Sequence, residues 1–338
     1  MTESFSYNQP FPLECGTVLP SLKIAYCTYG ALNAEKNNAI WVCHALTANA
    51  DVADWWPGMI GAGCAIDPAE HFIICANILG SAYGSTGPLD VNPITKQAYL
   101  HSFPTITIRD MVRAHDLLRK ELGIEKIKLL VGGSMGGYQA MEWAVMNPDL
   151  AERLFLLATS PAESAWGIAI HTAQRLAIEA DVSWNANTPE AGSKGLKAAR
   201  AIGMLTYRNY ELMVAQQTDE DNEKIEDFKA SSYINYQGDK LTKRFNAYSY
   251  WYLTKAMDSH NIARGRKQSI EGVLQTIKTP TLLIGISSDI LCPVQEQKFI
   301  AAHLPNCRLE IIDSSYGHDG FLVEAEKISV KLREWLTW

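Results

Sequence analysis

Short apolar runs at strand spacing alternate with stretches of helical period through the first 161 residues of this 338-residue chain. Residues 22–28, 39–44 and 72–76 have the pattern of strands. Over residues 107–122, Ile108, Met111, Val112, Leu117, Leu118 and Leu122 form one apolar stripe with charges opposite, as in an amphipathic helix. A strand over 127–131 runs into a glycine-rich turn, and a helix-compatible run over 138–146 stops near Asn147-Pro148. Residues 154–158 form the next strand. This alternation predicts an α/β fold, a mainly parallel sheet covered by helices on both faces.

Between residues 162 and 277 the strand-like runs disappear. Helix-compatible segments at 171–180, 195–204, 211–216 and 248–257 replace them, and the acidic stretch 218–227 has the character of a solvated turn. Strand signals return at 281–286 and 308–312, and a helix over 325–335 closes the chain. The expected organisation is a core of residues 1–161 and 278–338, interrupted by a helical lid of residues 162–277 over the carboxyl edge of the sheet.

Composition narrows the partners. A net charge of −7 argues against nucleic acid, which needs a basic face. No apolar run approaches the roughly 18 residues that span a bilayer. The polar and aromatic N-terminus has no basic stretch leading an apolar core, so no secretory signal is expected and the cytoplasm is the expected compartment. The seven cysteines are odd in number and scattered, without a C-x-x-C pair, which favours reduced thiols over disulfides or a metal site.

Candidate chemistry centres on Val131-Gly132-Gly133-Ser134-Met135-Gly136-Gly137. A G-x-S-x-G core between a strand and a helix is the context of a nucleophile elbow, in which a strained turn lifts a serine hydroxyl above the sheet edge. A serine is a poor nucleophile at pH 7 unless an oriented base takes its proton. In such folds the acid and then the histidine follow the serine, each after a strand. Asp289 follows the strand 281–286, and His318 follows the strand 308–312. Of eight histidines only His318 combines that order with that position; Asp313 and Asp319 rival Asp289 for the acid. The oxyanion donors expected are the amide of Met135, just after the nucleophile, and that of Leu46, two residues past an early strand end.

Beyond the elbow, the set HALT (44–47), DWW (54–56), YGSTGP (83–88), ITIRDMV (106–112), GGSMGGYQAMEWA (132–144), SYWYLTKAMD (249–258) and YGHDGFLVE (316–324) resembles the homoserine O-acetyltransferase family, from about Leu13 to the C-terminus. The resemblance implies an α/β-hydrolase core with a helical lid, assembled as a homodimer through that lid. It implies acetyl transfer from acetyl-CoA, a substrate and not a resident cofactor, to the hydroxyl of L-homoserine in methionine biosynthesis. Ser134, Asp289 and His318 match the family's nucleophile, acid and base. Arg208 matches the arginine that holds the acceptor's carboxylate, and Asp319 the acid near its α-ammonium. An arginine fork suits a carboxylate, and an acid suits an ammonium. The chain departs from the commoner family residues at Ala48-Asn49-Ala50-Asp51, at Tyr138 and at Gly320. No glycine-rich phosphate loop is present, so no residue is singled out for CoA.

Close variants of that activity use a succinyl donor or a serine acceptor, and an esterase would use the same triad with water. A large cap that keeps water from an acyl-enzyme favours transfer over hydrolysis.

Overall fold

A computed structural model describes residues 2–337. The chain begins with β1 (Glu3–Tyr7), the two-stranded β2 (Phe11–Pro12) and β3 (Val18–Leu19), and β4 (Leu22–Tyr29). Then come β5 (Ala39–Cys43), α1 (Val52–Trp55), β6 (Phe72–Ala76), α2 (Ile108–Glu121), β7 (Leu129–Gly133), α3 (Met135–Met146) and β8 (Leu154–Leu157). Six helices follow without a strand: α4 (Ala165–Glu179), α5 (Ser193–Tyr207), α6 (Tyr210–Gln217), α7 (Lys229–Thr242), α8 (Ala247–Asp258) and α9 (Ile270–Leu274). The core resumes with β9 (Thr281–Ile286), α10 (Val294–His303), β10 (Cys307–Ile312), α11 (Gly320–Val323) and α12 (Ala325–Leu336).

Eight strands form one sheet in the order β1-β4-β6-β5-β7-β8-β9-β10. The β1–β4 and β4–β6 pairs are antiparallel, and every later pair is parallel. Parallel strands need both faces covered, and successive side chains divide between them. Trp41, Cys43, Leu130, Leu154 and Leu156 pack on one face with Met111 of α2 and Met141 and Trp143 of α3. Ile40, Val42, Leu129, Val131, Phe155 and Ile284 pack on the other with Ile328 and Leu332 of α12. Trp41 meets Trp143 edge-on at 5.1 Å, which anchors α3 to the middle of the sheet.

This order places the chemistry. β5 and β7 are neighbours, so the loops that hold Leu46 and Ser134 leave the sheet side by side. β9 and β10 are paired in register from Cys307–Thr281 to Ile312–Ile286, which brings the loops of Asp289 and His318 together.

Some elements differ from the sequence-based expectation. β1 is an antiparallel edge strand that a largely exposed segment did not announce. The helix expected over 171–180 starts at Ala165, where Ser164 caps it by accepting from the Gly167 amide. Helix α7 is additional, and its Gly238 packs against Lys197 of α5 closely enough that a Cβ would lie 2.6 Å from Lys197 Cγ.

Candidate active site

Ser134 occupies the turn between β7 and α3 with φ 54° and ψ −128°, a conformation that costs a non-glycine residue on the order of 1–3 kcal/mol. The surroundings hold it there. Its amide continues the sheet to Leu157 O at 2.9 Å, and its carbonyl accepts from Gly137 N at 2.8 Å and Thr159 Oγ1 at 2.9 Å. Gly136 lets α3 start against β5, since a Cβ there would sit 2.0 Å from the Cys43 carbonyl oxygen.

Three of the sequence-predicted residues lie on one hydrogen-bonded line. Ser134 Oγ is 2.8 Å from His318 Nε2, and His318 Nδ1 is 2.7 Å from Asp289 Oδ2. The other carboxylate oxygen of Asp289 accepts from the Leu291 and Cys292 amides at 2.8 and 2.9 Å. With both oxygens engaged, the carboxylate faces the imidazole in one orientation. An Nδ1–H donated to Asp289 leaves Nε2 as the acceptor for the serine proton. Burial opposes a charge on His318, but Asp289 overrides it and lifts the imidazole above its ordinary pKa. Asp313 lies elsewhere, accepting from Ser287 Oγ at 3.0 Å.

The second loop at the sheet edge is equally constrained. His44 donates from Nδ1 to Ala45 O (2.8 Å) and accepts at Nε2 from the Ile78 amide (3.2 Å). Burial pushes its pKa down to about 4, so it serves as a neutral splint. Gln139 of α3 donates to His44 O at 3.1 Å and to Met135 O at 3.3 Å, joining this loop to the elbow. Arg244, just after α7, donates to Thr47 O at 2.5 Å and to the Tyr83 hydroxyl. Among the described residues, neither the Leu46 nor the Met135 amide donates to another protein group.

Arg208, at the C-terminal end of α5, lies 3.4 Å from Asp319 Oδ2 and donates from Nε to the Tyr233 hydroxyl at 3.3 Å. Gly317, at φ 65°, lets the histidine loop pass this point, since a Cβ would stand 2.9 Å from the Tyr207 carbonyl oxygen. Burial raises the pKa of Asp319, while Arg208 and His318 hold it down. Leu46, Ser134, Arg208, His318 and Asp319 all line one cavity of about 510 Å³. Ala48 and Asn49 line it as well. Tyr138 is not in its wall: it is buried in α3, with its ring on His260 at 4.1 Å and its hydroxyl donating to Glu163 at 3.1 Å.

Residues to which the sequence reading assigned no role in the site also face this cavity. His171 of α4 lines it, with Nδ1 2.9 Å from Asp258 Oδ1, and Arg175 holds the other Asp258 oxygen at 2.5 Å. Gln174 and Arg200 line it too. Polar side chains on amphipathic helices look like a solvated face in sequence, so none of them carried a signal. Among the described residues no cluster of His, Cys, Asp and Glu could hold a metal ion.

A serine, a histidine and an acid on successive loops at the carboxyl edge of a parallel sheet define a protein of the α/β-hydrolase class, and residues 38–325 match the alpha/beta hydrolase fold family. The chain is 49% identical to a homoserine O-acetyltransferase of Chlorobaculum parvum, over 97% of this chain and 92% of that protein. It is 47% identical to one of Cyclobacterium marinum, over 98% and 95%. A crystal structure of homoserine O-acetyltransferase from Bacillus anthracis superposes with a TM-score of 0.93 at 27% identity, covering 100% of this chain and 98% of the other. Esterase E22 shares the fold, with a TM-score of 0.90 at 24% identity over 99% of this chain and 100% of its own. Within the α/β hydrolases, the chain belongs to the homoserine O-acetyltransferase family.

Proposed function

We propose that the protein transfers an acetyl group from acetyl-CoA to the side-chain hydroxyl of L-homoserine, as a step of methionine biosynthesis, through an acetyl ester on Ser134. The observation that carries this reading is the line Asp289–His318–Ser134 opening on a cavity whose wall also holds Arg208 and Asp319. His318 takes the proton of Ser134 as Oγ attacks the thioester carbonyl. The oxyanion is met by the Leu46 and Met135 amides. The carbon–sulfur bond breaks, and the CoA thiolate leaves with the proton from His318. Homoserine then enters, its carboxylate to Arg208 and its ammonium to Asp319. His318 takes its hydroxyl proton, the oxygen attacks the acetyl-serine, and Ser134 leaves and regains its proton.

Residues 162–277 act in this reading as a lid that keeps water from the acetyl-serine. Exposed apolar side chains on its helices (Leu205, Tyr210, Val214 and Tyr236) support a homodimer formed through the lid. Acetyl-CoA and an amino acid as substrates support a cytoplasmic enzyme, and no helix among the described residues is long and apolar enough to cross a membrane.

Rapid mixing with acetyl-CoA alone tests the mechanism, because a ping-pong enzyme releases about one thiol per site before any acceptor is added. A steady release without amino acid identifies a hydrolase instead. Replacing acetyl-CoA by succinyl-CoA, and homoserine by serine, tests the donor and the acceptor.

A further inference from the structure

The wall that the helical insert contributes to the cavity carries polar groups the mechanism above does not use. Gln174 of α4 is 1% exposed, and its Oε1 has no hydrogen-bond partner among the described residues. Arg200 of α5 has no acidic partner there, and its buried Nε has no acceptor. Its guanidinium carbon lies 5.2 Å from the centre of the Tyr207 ring. Arg208, by contrast, has Asp319 and Tyr233. Both line the same cavity, and Gln174 packs on α5 one turn past Arg200: a Cβ on Gly203 would stand 3.1 Å from Gln174 Nε2.

A half-buried guanidinium without an anion is unfavourable, and so is a buried amide oxygen without a donor. An anion with an N–H donor beside it would satisfy both. An α-amino acid carries that pair on one carbon. Reach agrees with this. The Tyr207 ring is 6.0 Å from the His318 ring, so with the 5.2 Å above the guanidinium lies within about 11 Å of the imidazole. An amino acid whose γ-hydroxyl touches His318 carries its carboxylate roughly 5 Å further on, within a guanidinium's reach at that range. The pyrophosphate of CoA, at the end of a pantetheine arm, lies roughly 15 Å from a thioester on Ser134. Arg200 is also close enough to Asp319 to favour its charged form.

We propose that Arg200 and Gln174 form a second clamp on the α-amino carboxylate of the acceptor. Arg200 grips the carboxylate opposite Arg208, and Gln174 Oε1 accepts from the ammonium. The proposal rests on the reading of the cavity as an amino-acid acceptor site, and it makes the insert a determinant of acceptor specificity as well as a cover.

Calorimetric titration with L-2-aminobutyrate, which lacks the hydroxyl and cannot be acetylated on oxygen, tests the clamp without relying on turnover. Wild type is expected to bind it, Arg200→Gln at least tenfold more weakly, and Arg200→Lys between the two. Gln174→Leu should weaken it several-fold. Binding of 2-aminobutan-1-ol, which has the ammonium but no carboxylate, should be the same in wild type and Arg200→Gln. Equal affinity of wild type and Arg200→Gln for aminobutyrate overturns the proposal, as does a parallel loss for the alcohol, the pattern of a damaged fold. A higher KM for acetyl-CoA in Arg200→Gln, with no change for the acetyl thioester of N-acetylcysteamine, also overturns it and assigns Arg200 to the phosphates. Absence of acetyl transfer to homoserine by the wild type would sink the functional reading alone, because the titration decides the clamp independently.

Discussion

Arg208 and Asp319 lie 3.4 Å apart, a cation and an anion paired with each other in the wall of the catalytic cavity. An α-amino acid is a zwitterion, so it can enter by exchanging partners with both at once. In the proposed reaction the pairing keeps two charges compensated until an acceptor binds, which limits the cost of holding them partly buried.

Replacing one partner should therefore damage the second half-reaction and spare the first. For Asp319→Asn, the KM for homoserine is expected to rise about tenfold or more, the equivalent of about 1.4 kcal/mol. The thiol burst from acetyl-CoA should persist. In the wild type the same KM should climb as pH falls. That climb should occur above the usual carboxyl range, because burial raises the pKa of Asp319 and the carboxylate is the binding form. A homoserine KM independent of pH and of the Asn substitution would remove Asp319 from the acceptor site.

If His318 is the base, as proposed, it gives a second pH signature. His318 must be neutral to take the serine proton, so kcat/KM for acetyl-CoA rises with pH through its pKa. Asp289 sets that pKa above the ordinary histidine value despite burial. Asp289→Asn should shift this limb to lower pH and lower the acylation rate by about 10⁴-fold through loss of the tautomer. Burst rates measured from pH 5 to pH 9 read both effects. An unshifted limb would mean that another group is the base.

The hydrogen-bonded line Asp289–His318–Ser134 was legible in sequence because each member follows a strand-like apolar run in a fixed order. Ser134 also stands among glycines that a tight strand-to-helix turn requires. The break in strand signals after residue 161 likewise announced the helices between β8 and β9. Gln174 and Arg200 were not legible. Each sits among Ala, Leu and Ile on an amphipathic helix, and only the packing of α4 on α5 shows that their face turns toward Ser134. β1 was missed for a related reason: at the sheet edge Ser4 and Ser6 are tolerated, so no apolar run marks it. Helix α7 contains Ser, Asn and Gly, weak helix formers, and depends on its contact with α5.

Arg244 ties the insert to the loop after β5 through Thr47 O. Leu46, whose amide is the expected donor, is the adjacent residue. Arg244→Gln should leave the acetyl-CoA KM nearly unchanged and slow both acylation and deacylation by about tenfold, as the donor loses its aim. Stopped-flow thiol release gives the first rate, and the homoserine-dependent phase gives the second. A change confined to KM would make Arg244 a binding residue for the donor and not a strut of the loop.

Gly136 offers the sharpest structural test. A Cβ at this position would lie 2.0 Å from the oxygen and 2.9 Å from the carbon of the Cys43 carbonyl. Both are backbone atoms of β5, in the middle of the sheet, so no side chain can swing aside. Relief requires α3 to move off the sheet, carrying Met135 and the strained Ser134 with it and pulling Gln139 from His44 O. Gly136→Ala should therefore cost about 1–3 kcal/mol or more, as overpacking does, and should depress the thiol burst even in the molecules that remain folded. Gly272→Ala is the matched control. It lies in α9, where an added Cβ would be 3.5 Å from Ser269 Oγ, an ordinary contact. There alanine should be neutral or stabilise by about 0.4–1 kcal/mol. Equal melting temperatures for the two variants would show that α3 does not need its close approach to β5, and the elbow would then owe its geometry to some other restraint.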